Sequence, residues 1–260
     1  MSTKIISIAN HKGGCGKTTT VIHLASELAN LNYKVLIIDL DPQANASLHL
    51  GIKHPSEIEI TSAELLIGEI HLLQEAIEEK TNIDNVSLIY GSLNLGKTED
   101  QLKEDSPRPS EELIQKLEIL DGIYDFILID CPPSLKLLTS NALAASTHVI
   151  IPIESGSQYG LYGVTDLLNH LKKIERINPN LKLLGALLIK HDERQTVCKL
   201  IREEAFHQVG SLMATTIPLS TKVNQAAILQ QSLLQLDKGT KVRKAFQNLA
   251  LEIVQKINLN

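Results

Sequence analysis

The chain has 260 residues, of which 43% are hydrophobic, and a formal net charge of −5. This length can bury one large α/β core or at most two small ones, and we expect one domain over residues 1–260. The acidic balance argues against a protein that coats nucleic acid with its whole surface. Residues 182–260 nevertheless carry 11 Lys and Arg against 6 Asp and Glu, so the C-terminal third is locally basic.

Cysteine usage and hydropathy limit the cellular compartment. The three cysteines form no CxxC pair, which favours neither a disulfide framework nor a zinc site, and we expect Cys15 and Cys131 to be small buried residues. No run reaches the roughly 18 apolar residues that a membrane span requires, and the N-terminus lacks a signal-peptide pattern. We therefore expect a soluble protein of a reducing compartment.

Strands and helices alternate along the chain. Six short runs rich in Val, Ile and Leu lack a clean in-and-out alternation, which is typical of strands buried on both faces of a parallel sheet. They are residues 4–10, 34–41, 126–133, 148–154, 182–190 and 212–218, and the run at 87–91 is a candidate for another. Helical spacing of apolar residues predicts helices over 17–32, 61–79 and 163–177, and the polar segment 97–112 is expected to be a surface excursion. The pattern predicts an α/β fold with a doubly wound, mostly parallel sheet and helices on both faces.

A glycine loop follows the first strand and precedes the first helix, with the sequence KGGCGKTT at residues 12–19. It departs from the GxxxxGK[ST] phosphate loop because His11 stands where the first glycine would be. In this setting backbone N–H groups point at phosphate oxygens, Lys17 reaches the β- and γ-phosphates, and the Thr18 hydroxyl is a ligand for Mg²⁺. The expected phosphate-binding residues are Gly13, Gly14, Cys15, Gly16, Lys17 and Thr18.

A second lysine and two acidic strand ends accompany the loop. Lys12 precedes the double glycine, so it cannot easily fold back onto phosphates that its own loop surrounds, but it could reach those of a neighbouring subunit. The segments IIDLDPQANAS (37–47) and FILIDCPPS (126–134) each place aspartate at the end of an apolar run. Carboxyl ends of strands in an open parallel sheet are where ligands bind. Asp39, Asp41 and Asp130 are therefore candidates for metal and water binding.

These segments together resemble the deviant Walker A ATPases of the ParA/MinD family. Residues 12–18 are similar to its KGGxxKT loop, residues 39–45 to its DxDPQxN motif, and Asp130 to the aspartate that its members place before two prolines. Weaker similarity continues through TTIP (215–218) to the final helices, so the resemblance covers nearly the whole chain. Within the family the chain is most similar to DNA partition ATPases of the ParA type. Because the first predicted strand begins at Lys4, we expect the form of these ATPases that has no N-terminal helix-turn-helix.

The resemblance implies an enzyme that hydrolyses ATP with Mg²⁺ and a homodimer with two ATP molecules sandwiched between its subunits. Lys12 would then cross to the partner's nucleotide. The family pattern assigns the attacking water to Asp41, support of the metal shell to Asp39 and Mg²⁺, through a water, to Asp130; the spacing alone does not separate the first two. Thr19 is expected on the α-phosphate, and Ile217 and Pro218 beside the base.

Three functions remain open for the ATP-bound dimer. The first is DNA partition: the family's partition ATPases bind DNA without sequence preference, in the bacterial cytoplasm on the nucleoid, and are released when a ParB-like adaptor protein stimulates hydrolysis. The second is a MinD-like membrane function, and the third is a metabolic enzyme of the cobyrinate or dethiobiotin synthetase type. For DNA the expected contacts are Arg194, Lys199, Arg202 and Lys222, to which Lys238, Lys241, Arg243 and Lys244 could add, although Leu219 stands where the family has a basic residue.

The C-terminal segment distinguishes the first two functions. It carries an apolar stripe at helical spacing but only Lys256 as a cation in its last turns, whereas helices that lie on membranes have a basic polar face. We therefore expect this helix to pack on the sheet and no stable membrane association. The stripe consists of Val242, Phe246, Leu249, Ile253 and Ile257.

Overall fold

The computed structural model describes residues 2–157 and 159–258, and within these residues seven strands form one sheet. The strands are β1 (Lys4–Ile8), β2 (Val35–Asp39), β3 (Ile77–Glu78), β4 (Val86–Ile89), β5 (Phe126–Asp130), β6 (His148–Glu154) and β7 (Lys182–Ile189). Their order in the sheet is β3-β4-β2-β5-β1-β6-β7. All neighbours run parallel except the short β3, which is antiparallel to β4.

Helices cover both faces of this sheet. They are α1 (Lys17–Asn30), α2 (Asn45–Leu50), α3 (Ser62–Ile67), α4 (Leu72–Ala76), α5 (Leu95–Asp105), α6 (Glu112–Glu118), α7 (Leu137–Ala145), α8 (Val164–Ile174), α9 (Thr196–Val209), α10 (Thr221–Ile228), α11 (Leu233–Leu236) and α12 (Lys241–Asn258), with a 3₁₀ turn at Pro55–Glu57. Among the described residues no helix combines the length and apolar character needed to cross a membrane.

Successive side chains of each central strand enter two separate cores. In β5, Phe126 and Leu128 pack into one core, while Ile127 and Ile129 pack into the other. Helices α1, α2 and α10 to α12 cover the first core, and α3 to α9 cover the second. Burial on both faces explains why the strands read as continuous apolar runs. The predicted fold class, a doubly wound, mostly parallel sheet with helices on both faces, is confirmed.

The prediction of one helix over 61–79 is wrong. The segment forms α3 and α4, and its last residues form β3. Helix α3 begins with a capping box in which the Thr61 hydroxyl and the Glu64 carboxylate bond to backbone N–H groups. It ends at Gly68, where a Cβ would collide with the Leu72 side chain. The apolar period continues through the segment, but the chain turns at the glycine.

The segment 97–112 lies at the surface as expected, with only Thr98, Glu99 and Leu102 buried, but its first part belongs to a helix that was not predicted. Residues Leu95–Asp105 form α5, which buries Leu95 and Leu102 in the second core and packs on α3 and α7. The Glu99 carboxylate accepts a hydrogen bond of 3.1 Å from the N–H of Leu138 at the start of α7. A helix with only two buried leucines has little apolar signal, and its buried glutamate looks like a surface residue in the sequence.

The predicted strand at 212–218 is extended but joins β7 only at isolated points. Leu212 pairs with Ala186 and Ile217 with Ile189. Between these points the N–H groups of Ala214 and Thr215 donate to the Glu252 carboxylate of α12, at 2.7 and 2.8 Å. Because α12 binds these amides, they are not available for a ladder with β7.

Candidate functional site

The carboxyl ends of β1, β5 and β2 lie side by side, since these strands are neighbours in the sheet. Asp130 pairs in register with Asp39 on one side and Ile8 on the other. A cavity of about 590 Å³ opens beside these strand ends. It brings together most of the predicted nucleotide residues, namely Gly13, Gly14, Gly16, Lys17, Thr18, Thr19, Asp41, Ile217 and Pro218.

The glycine loop has a backbone that glycine alone adopts readily. Gly14 and Gly16 have φ values of 71° and 80°, in the left-handed region. A Cβ at Gly16 would collide with the Ile189 side chain at the end of β7, whereas Gly13 and Gly14 face open space. Gly16 is the N-cap of α1, so the unpaired N–H groups at the start of that helix lie at the cavity. Such a helix start attracts anions.

The interior of the loop holds Lys17 and Cys15, both buried. The Lys17 amine donates to the carbonyl of Lys12 at 3.0 Å and lies 4.0 Å from the Cys15 sulfur. Burial raises the pKa of the Cys15 thiol, although the two lysines oppose that shift. Cys15 therefore contributes a small buried side chain and its backbone, as expected. Cys131 is buried as well, and burial raises the pKa of its thiol to about 12.

Lys12 lies at the rim of the cavity, and its amine forms an ion pair with Glu154 at 2.9 Å. The other oxygen of Glu154 accepts from the Lys190 amine, also at 2.9 Å. Burial alone would raise the pKa of Glu154, but the hydrogen bonds from the two lysines lower it below its usual range. Neither Glu154 nor Lys190 belongs to one of the motifs, so this pairing could not be predicted from the sequence.

Asp39 is fully buried at the end of β2. One oxygen accepts from the N–H and the hydroxyl of Ser47, at 2.9 and 2.7 Å, and the other accepts from the N–H of Asp41 at 3.1 Å. Burial raises the pKa of Asp39 to about 6, against the effect of these hydrogen bonds. Asp39 thus ties the start of α2 to the turn that carries Asp41.

Asp130 has the opposite surroundings, although it pairs with Asp39 in register. It is fully buried, and neither carboxylate oxygen has a hydrogen-bond partner among the described residues. Burial and the charge of Asp39 raise the pKa of Asp130 well above its usual range, while the nearby Thr18 hydroxyl and Lys17 favour its charged form. An unpartnered buried carboxylate is costly. Its free oxygens beside a threonine hydroxyl fit a hydrated Mg²⁺ ion, which prefers oxygen ligands.

Asp41 lines the cavity from a tight turn. Its carboxylate accepts a hydrogen bond of 3.0 Å from the N–H of Gln43, and its backbone carbonyl accepts one of 2.8 Å from the N–H of Ala44. Ala44 has a φ of 50°, in the left-handed region. The turn therefore presents the Asp41 side chain to the cavity, as the turn sequence DPQ predicts.

Ile217 and Pro218 form part of the opposite wall. The N–H of Ile217 donates to the carbonyl of Leu188 at 2.8 Å, and the carbonyl of Ile217 accepts from the N–H of His191 at 2.9 Å. These two bonds fix the segment to the end of β7. The wall also contains residues that the sequence analysis missed. Those are Thr20, Ile189, Lys190, Leu219, Ser220, Val223, Asn224 and Phe246, together with Gln43, Asn45 and Pro133, which lie in the two motifs but had no role assigned to them.

The predicted DNA contacts are spread over three elements. Lys199 and Arg202 are exposed on α9 and line a second surface cavity of about 710 Å³. Arg194 is exposed in the turn before α9 and makes two hydrogen bonds to Asp192, at 2.9 and 2.8 Å, which hold the pKa of that carboxyl well below its usual range. Lys222 is half-buried at the start of α10, beside the first cavity.

One additional candidate for DNA contact is wrong. Arg243 is buried, and its guanidinium makes two hydrogen bonds of 2.8 and 3.0 Å to the carboxylate of Glu27 on α1. It therefore joins α12 to α1 and is not part of a surface. The sequence places it beside the exposed Lys244, and only the packing of the two helices distinguishes them.

Comparison with known proteins identifies the family. Residues 3–183 match the AAA domain family AAA_31. The chain is 34% identical over 254 residues to the sporulation initiation inhibitor protein Soj of Bacillus subtilis, covering 96% of this chain and 98% of Soj. It is 32% identical over 257 residues to the chromosome partitioning protein ParA of Caulobacter vibrioides, covering 97% and 94% of the two chains.

A solved structure agrees with this fold and extends the comparison. The cobyrinic acid a,c-diamide synthase of Mycobacterium smegmatis, determined with bound ADP and magnesium, superposes with a TM-score of 0.85 at 29% identity. The match covers 98% of this chain and 96% of the synthase. With its glycine loop, its acidic strand ends and these full-length relatives, the chain belongs to the ParA/MinD family of ATPases.

Proposed function

We propose that this protein is a Mg²⁺-dependent ATPase of the partition type. In this proposal ATP joins two copies of the chain into a dimer, the dimer binds DNA without sequence preference, and a ParB-like adaptor releases it by stimulating hydrolysis. The whole chain acts as one ATPase domain in the bacterial cytoplasm, on the nucleoid. The observation that carries the proposal is a cavity lined by the glycine loop and Asp41, beside the strand end at which the buried carboxylate of Asp130 has no hydrogen-bond partner among the described residues.

Nucleotide binding follows from the loop. The N–H groups of residues 13–19 and the start of α1 bind the phosphates, and Thr19 contacts the α-phosphate. Among the described residues, the hydrogen bonds of the Lys17 amine go to the neutral Lys12 carbonyl and Cys15 sulfur, so the amine moves readily to the β- and γ-phosphates. The base lies against Ile217 and Pro218, next to the apolar side chains of Val223 and Phe246. ADP and magnesium in the mycobacterial synthase support this assignment.

The acidic residues serve the metal and the water. Thr18 and Asp130 hold Mg²⁺, which neutralises charge on the phosphates when bound. Asp41 orients the attacking water, because its side chain faces the cavity from a fixed turn. Asp39 supports the metal shell by holding that turn through the N–H of Asp41. In phosphoryl transfer the protein mainly positions groups and neutralises charge, so this arrangement is sufficient for slow hydrolysis.

Dimerisation depends on Lys12. Its amine lies at the rim, on Glu154, and not among the residues that line the cavity. From this position it reaches the phosphates of a second copy that faces the cavity, and the ATP then joins the two subunits. The chromosome partitioning protein ParA of Caulobacter vibrioides, 32% identical over nearly the full chain, supports a partition function for that dimer.

DNA binding rests on the cations of the C-terminal third. Lys199 and Arg202 form one patch on α9, Arg194 lies in the turn before that helix, and Lys222 lies on α10. Individual contacts of this kind are weak, but a dimer doubles them, which gives non-specific binding to phosphates. Arg194 must exchange Asp192 for a phosphate, so we expect it to contribute less than Lys199 and Arg202.

Two alternatives are less well supported. For a MinD-like membrane function the apolar stripe of α12 would have to face lipid, but all five of its residues are buried, in the core that α12 shares with α1. For a metabolic function the likeness to the cobyrinic acid a,c-diamide synthase is a specific observation. That enzyme has the same fold and binds ADP and magnesium. The partition proposal requires this fold and a nucleotide as well, so the likeness does not favour one function over the other.

A binding experiment separates the three functions. Mobility of an arbitrary DNA duplex is measured with ATP, ADP and no nucleotide, beside sedimentation with liposomes. Partition predicts retardation with ATP alone, and an affinity that falls steeply with salt because phosphate contacts release counterions. DNA binding should weaken in the double variant Lys199→Ala, Arg202→Ala. It should not change in the control double variant Lys97→Ala, Lys103→Ala, whose lysines are exposed on α5. Binding to liposomes without DNA favours the MinD-like function, and binding to neither favours the metabolic one.

A further inference from the structure

One carboxylate holds two lysine amines at the rim of the nucleotide cavity. Oε2 of Glu154 accepts from Lys12 Nζ and Oε1 accepts from Lys190 Nζ, each at 2.9 Å. The Lys12 and Glu154 side chains are 21% and 20% exposed, and that of Lys190 is 43% exposed. We refer to these three residues as the Glu154 bridge. Its geometry follows from the sheet, because β6, which ends at Glu154, lies between β1 and β7.

The backbone of Lys12 is fixed on both sides. Its N–H donates to the side-chain oxygen of Asn10 at 3.0 Å, and the amide of Asn10 donates to the carbonyl of Pro152 in β6 at 2.7 Å. Its carbonyl accepts from the Lys17 amine and from the Cys15 thiol. Because these bonds hold the main chain, the amine of Lys12 can change partners only by rotation of its side chain.

Lys190 has an uncommon backbone for a lysine. Its φ is 51°, in the left-handed region, which is unfavourable for a residue with a Cβ. The neighbouring groups hold it there, since Ile189 accepts from the N–H of Ser155 and the N–H of His191 donates to Ile217, both at 2.9 Å. Such strain is retained where the surroundings determine the conformation, and it often marks a functional position. Here it accompanies an amine that reaches the free oxygen of Glu154.

We propose that Glu154 is a positioning residue for Lys12, and that Lys190 allows Lys12 to leave it. In the single chain Glu154 holds the Lys12 amine at the rim. In the ATP dimer that amine moves to the facing nucleotide, and Lys190 remains as the partner of the carboxylate. This inference rests on the proposed ATP dimer.

The role of Lys190 follows from the cost of an unpaired charge. Glu154 is mostly shielded from water, so removing its last cationic partner is unfavourable. With Lys190 in place the carboxylate keeps one amine after Lys12 has left. Without Lys190, Lys12 would be the only amine of the bridge, and its release would leave the carboxylate without a cation. The two lysines of the bridge therefore have opposite tasks: one moves and the other stays.

The test measures the dissociation constant of the dimer by sedimentation velocity with a non-hydrolysable ATP analogue. Glu154→Gln removes the charge that holds Lys12, so the dimer should form more tightly. A partly exposed ion pair such as that of Lys12 and Glu154 changes an equilibrium constant by about a factor of three. Each dimer breaks two such pairs, one in each subunit, so we expect the dissociation constant of the Glu154→Gln dimer to be about tenfold lower. Lys190→Met keeps the aliphatic stem and removes the amine, and should raise the dissociation constant by a similar factor.

The double variant separates this role from a structural one. In the Glu154→Gln background Lys190→Met should have no further effect on dimerisation, because no carboxylate remains to be neutralised. A Lys190 that acts by contacting the nucleotide would keep its full effect in that background, and the inference would be wrong. Lys182→Met, at the exposed start of the same strand, and the exposed Glu175→Gln are the matched controls and should leave the constant unchanged.

A second measurement uses the chain without nucleotide. The reaction rate of each lysine with acetic anhydride is followed by mass spectrometry, and Glu154→Gln should accelerate labelling of Lys12 about threefold while Lys182 keeps its rate. If Glu154→Gln changes neither the labelling rate of Lys12 nor the dissociation constant of the dimer, the positioning role of Glu154 is rejected, while the proposed dimer stands. A wild-type chain that stays monomeric with the analogue instead rejects the proposed dimer, and the positioning role with it.

Discussion

At the scale of single residues, two aspartates that pair in register have opposite surroundings. Asp39 accepts three hydrogen bonds from Ser47 and Asp41, whereas the oxygens of Asp130 accept none among the described residues. Both are fully buried, so the difference lies in the loops that follow their strands. A buried carboxylate with partners stabilises the fold, and one without partners reserves its oxygens for a ligand.

The same substitution should therefore have opposite effects at the two positions. In the presence of a chelator that removes divalent metal ions, Asp130→Asn should raise the free energy of unfolding by about 1 kcal/mol or more. The reason is that the variant no longer buries an unpartnered carboxylate. Asp39→Asn should lower it by about 1–3 kcal/mol, because an amide group would face backbone donors. Urea denaturation checks both. Addition of Mg²⁺ and ATP should stabilise the wild type more than Asp130→Asn, because the variant keeps the phosphate loop but loses a ligand for the metal. Equal responses of the two would contradict the metal role of Asp130.

A buried histidine gives the chain a pH dependence. Burial and the neighbouring His49 lower the pKa of His23 to about 3. The folded state thus favours the neutral ring, so its contribution is complete above the unfolded pKa of about 6.5 and is lost as the pH falls towards 3. Between pH 7 and pH 5 we expect a loss of about 2 kcal/mol from this residue.

Denaturation at the two pH values checks this expectation. His23→Gln should lose about 2 kcal/mol less than the wild type between pH 7 and pH 5. The exposed His71, replaced in the same way, should leave the pH dependence as it is. An unchanged slope for His23→Gln would mean that the ring takes up its proton alike in the folded and the unfolded chain, and would contradict the lowered pKa.

At the scale of elements, α1 and α12 are held together by a buried ion pair as well as by apolar contacts. Arg243 makes two hydrogen bonds to Glu27. The rings of Phe246 and His23 pack against each other at an interplanar angle of 59°, with their centroids 5.1 Å apart. Helix α1 begins at the glycine loop, and Phe246 lines the nucleotide cavity. The pair of helices therefore fixes one wall of the site to the loop.

Breaking this ion pair should be costly. Arg243→Met should lower the free energy of unfolding by about 3–5 kcal/mol, because Glu27 would keep a buried charge without a partner. Combining it with Glu27→Gln should restore most of the loss, since neither charge is then buried alone. Urea denaturation of the two single variants and the double variant measures the coupling. Additive losses would contradict the pairing.

At the scale of the whole molecule, the site is built from segments that are distant in sequence. The loop follows β1, Asp41 follows β2, Asp130 ends β5, Lys190 follows β7, and Phe246 comes from α12. The doubly wound order of strands places these ends at one edge. A cavity with a lysine at its rim can be completed by a second copy, which is the basis of the proposed dimer.

Two substitutions should separate binding from dimerisation. Lys12→Ala should still bind ATP but raise the dimer dissociation constant at least about tenfold, because a charged hydrogen bond to the partner's nucleotide is lost in each of two sites. Asp41→Ala should form a dimer that persists with ATP, because the attacking water is no longer oriented. Light scattering with ATP and ADP measures both. A Lys12→Ala chain that dimerises as the wild type does would contradict the crossing of subunits.

Much of this protein could be predicted without its structure. Apolar runs without alternation predicted five of the seven strands to within a few residues and offered β4 as a candidate, because burial on both faces requires such runs. The sixth predicted run, 212–218, makes only isolated bridges to β7. The loop and the strand-end aspartates were found because glycine conformations and apolar runs are local signals. The split of 61–79 and the helix at Leu95–Asp105 were missed, since a single glycine and two leucines are weak signals beside the tertiary contacts that decide them.

What the sequence by itself determined was therefore the fold class, the phosphate loop and the set of acidic residues beside it. Only the tertiary structure decided which partner each charge has: Glu154 for Lys12 and Lys190, Glu27 for Arg243, and none among the described side chains for Asp130. Periodicity and turn chemistry depend on neighbours along the chain. Pairing of charges depends on which strands and helices lie side by side, and the partners are 36 residues apart for Lys190 and Glu154, 142 for Lys12 and Glu154, and 216 for Arg243 and Glu27.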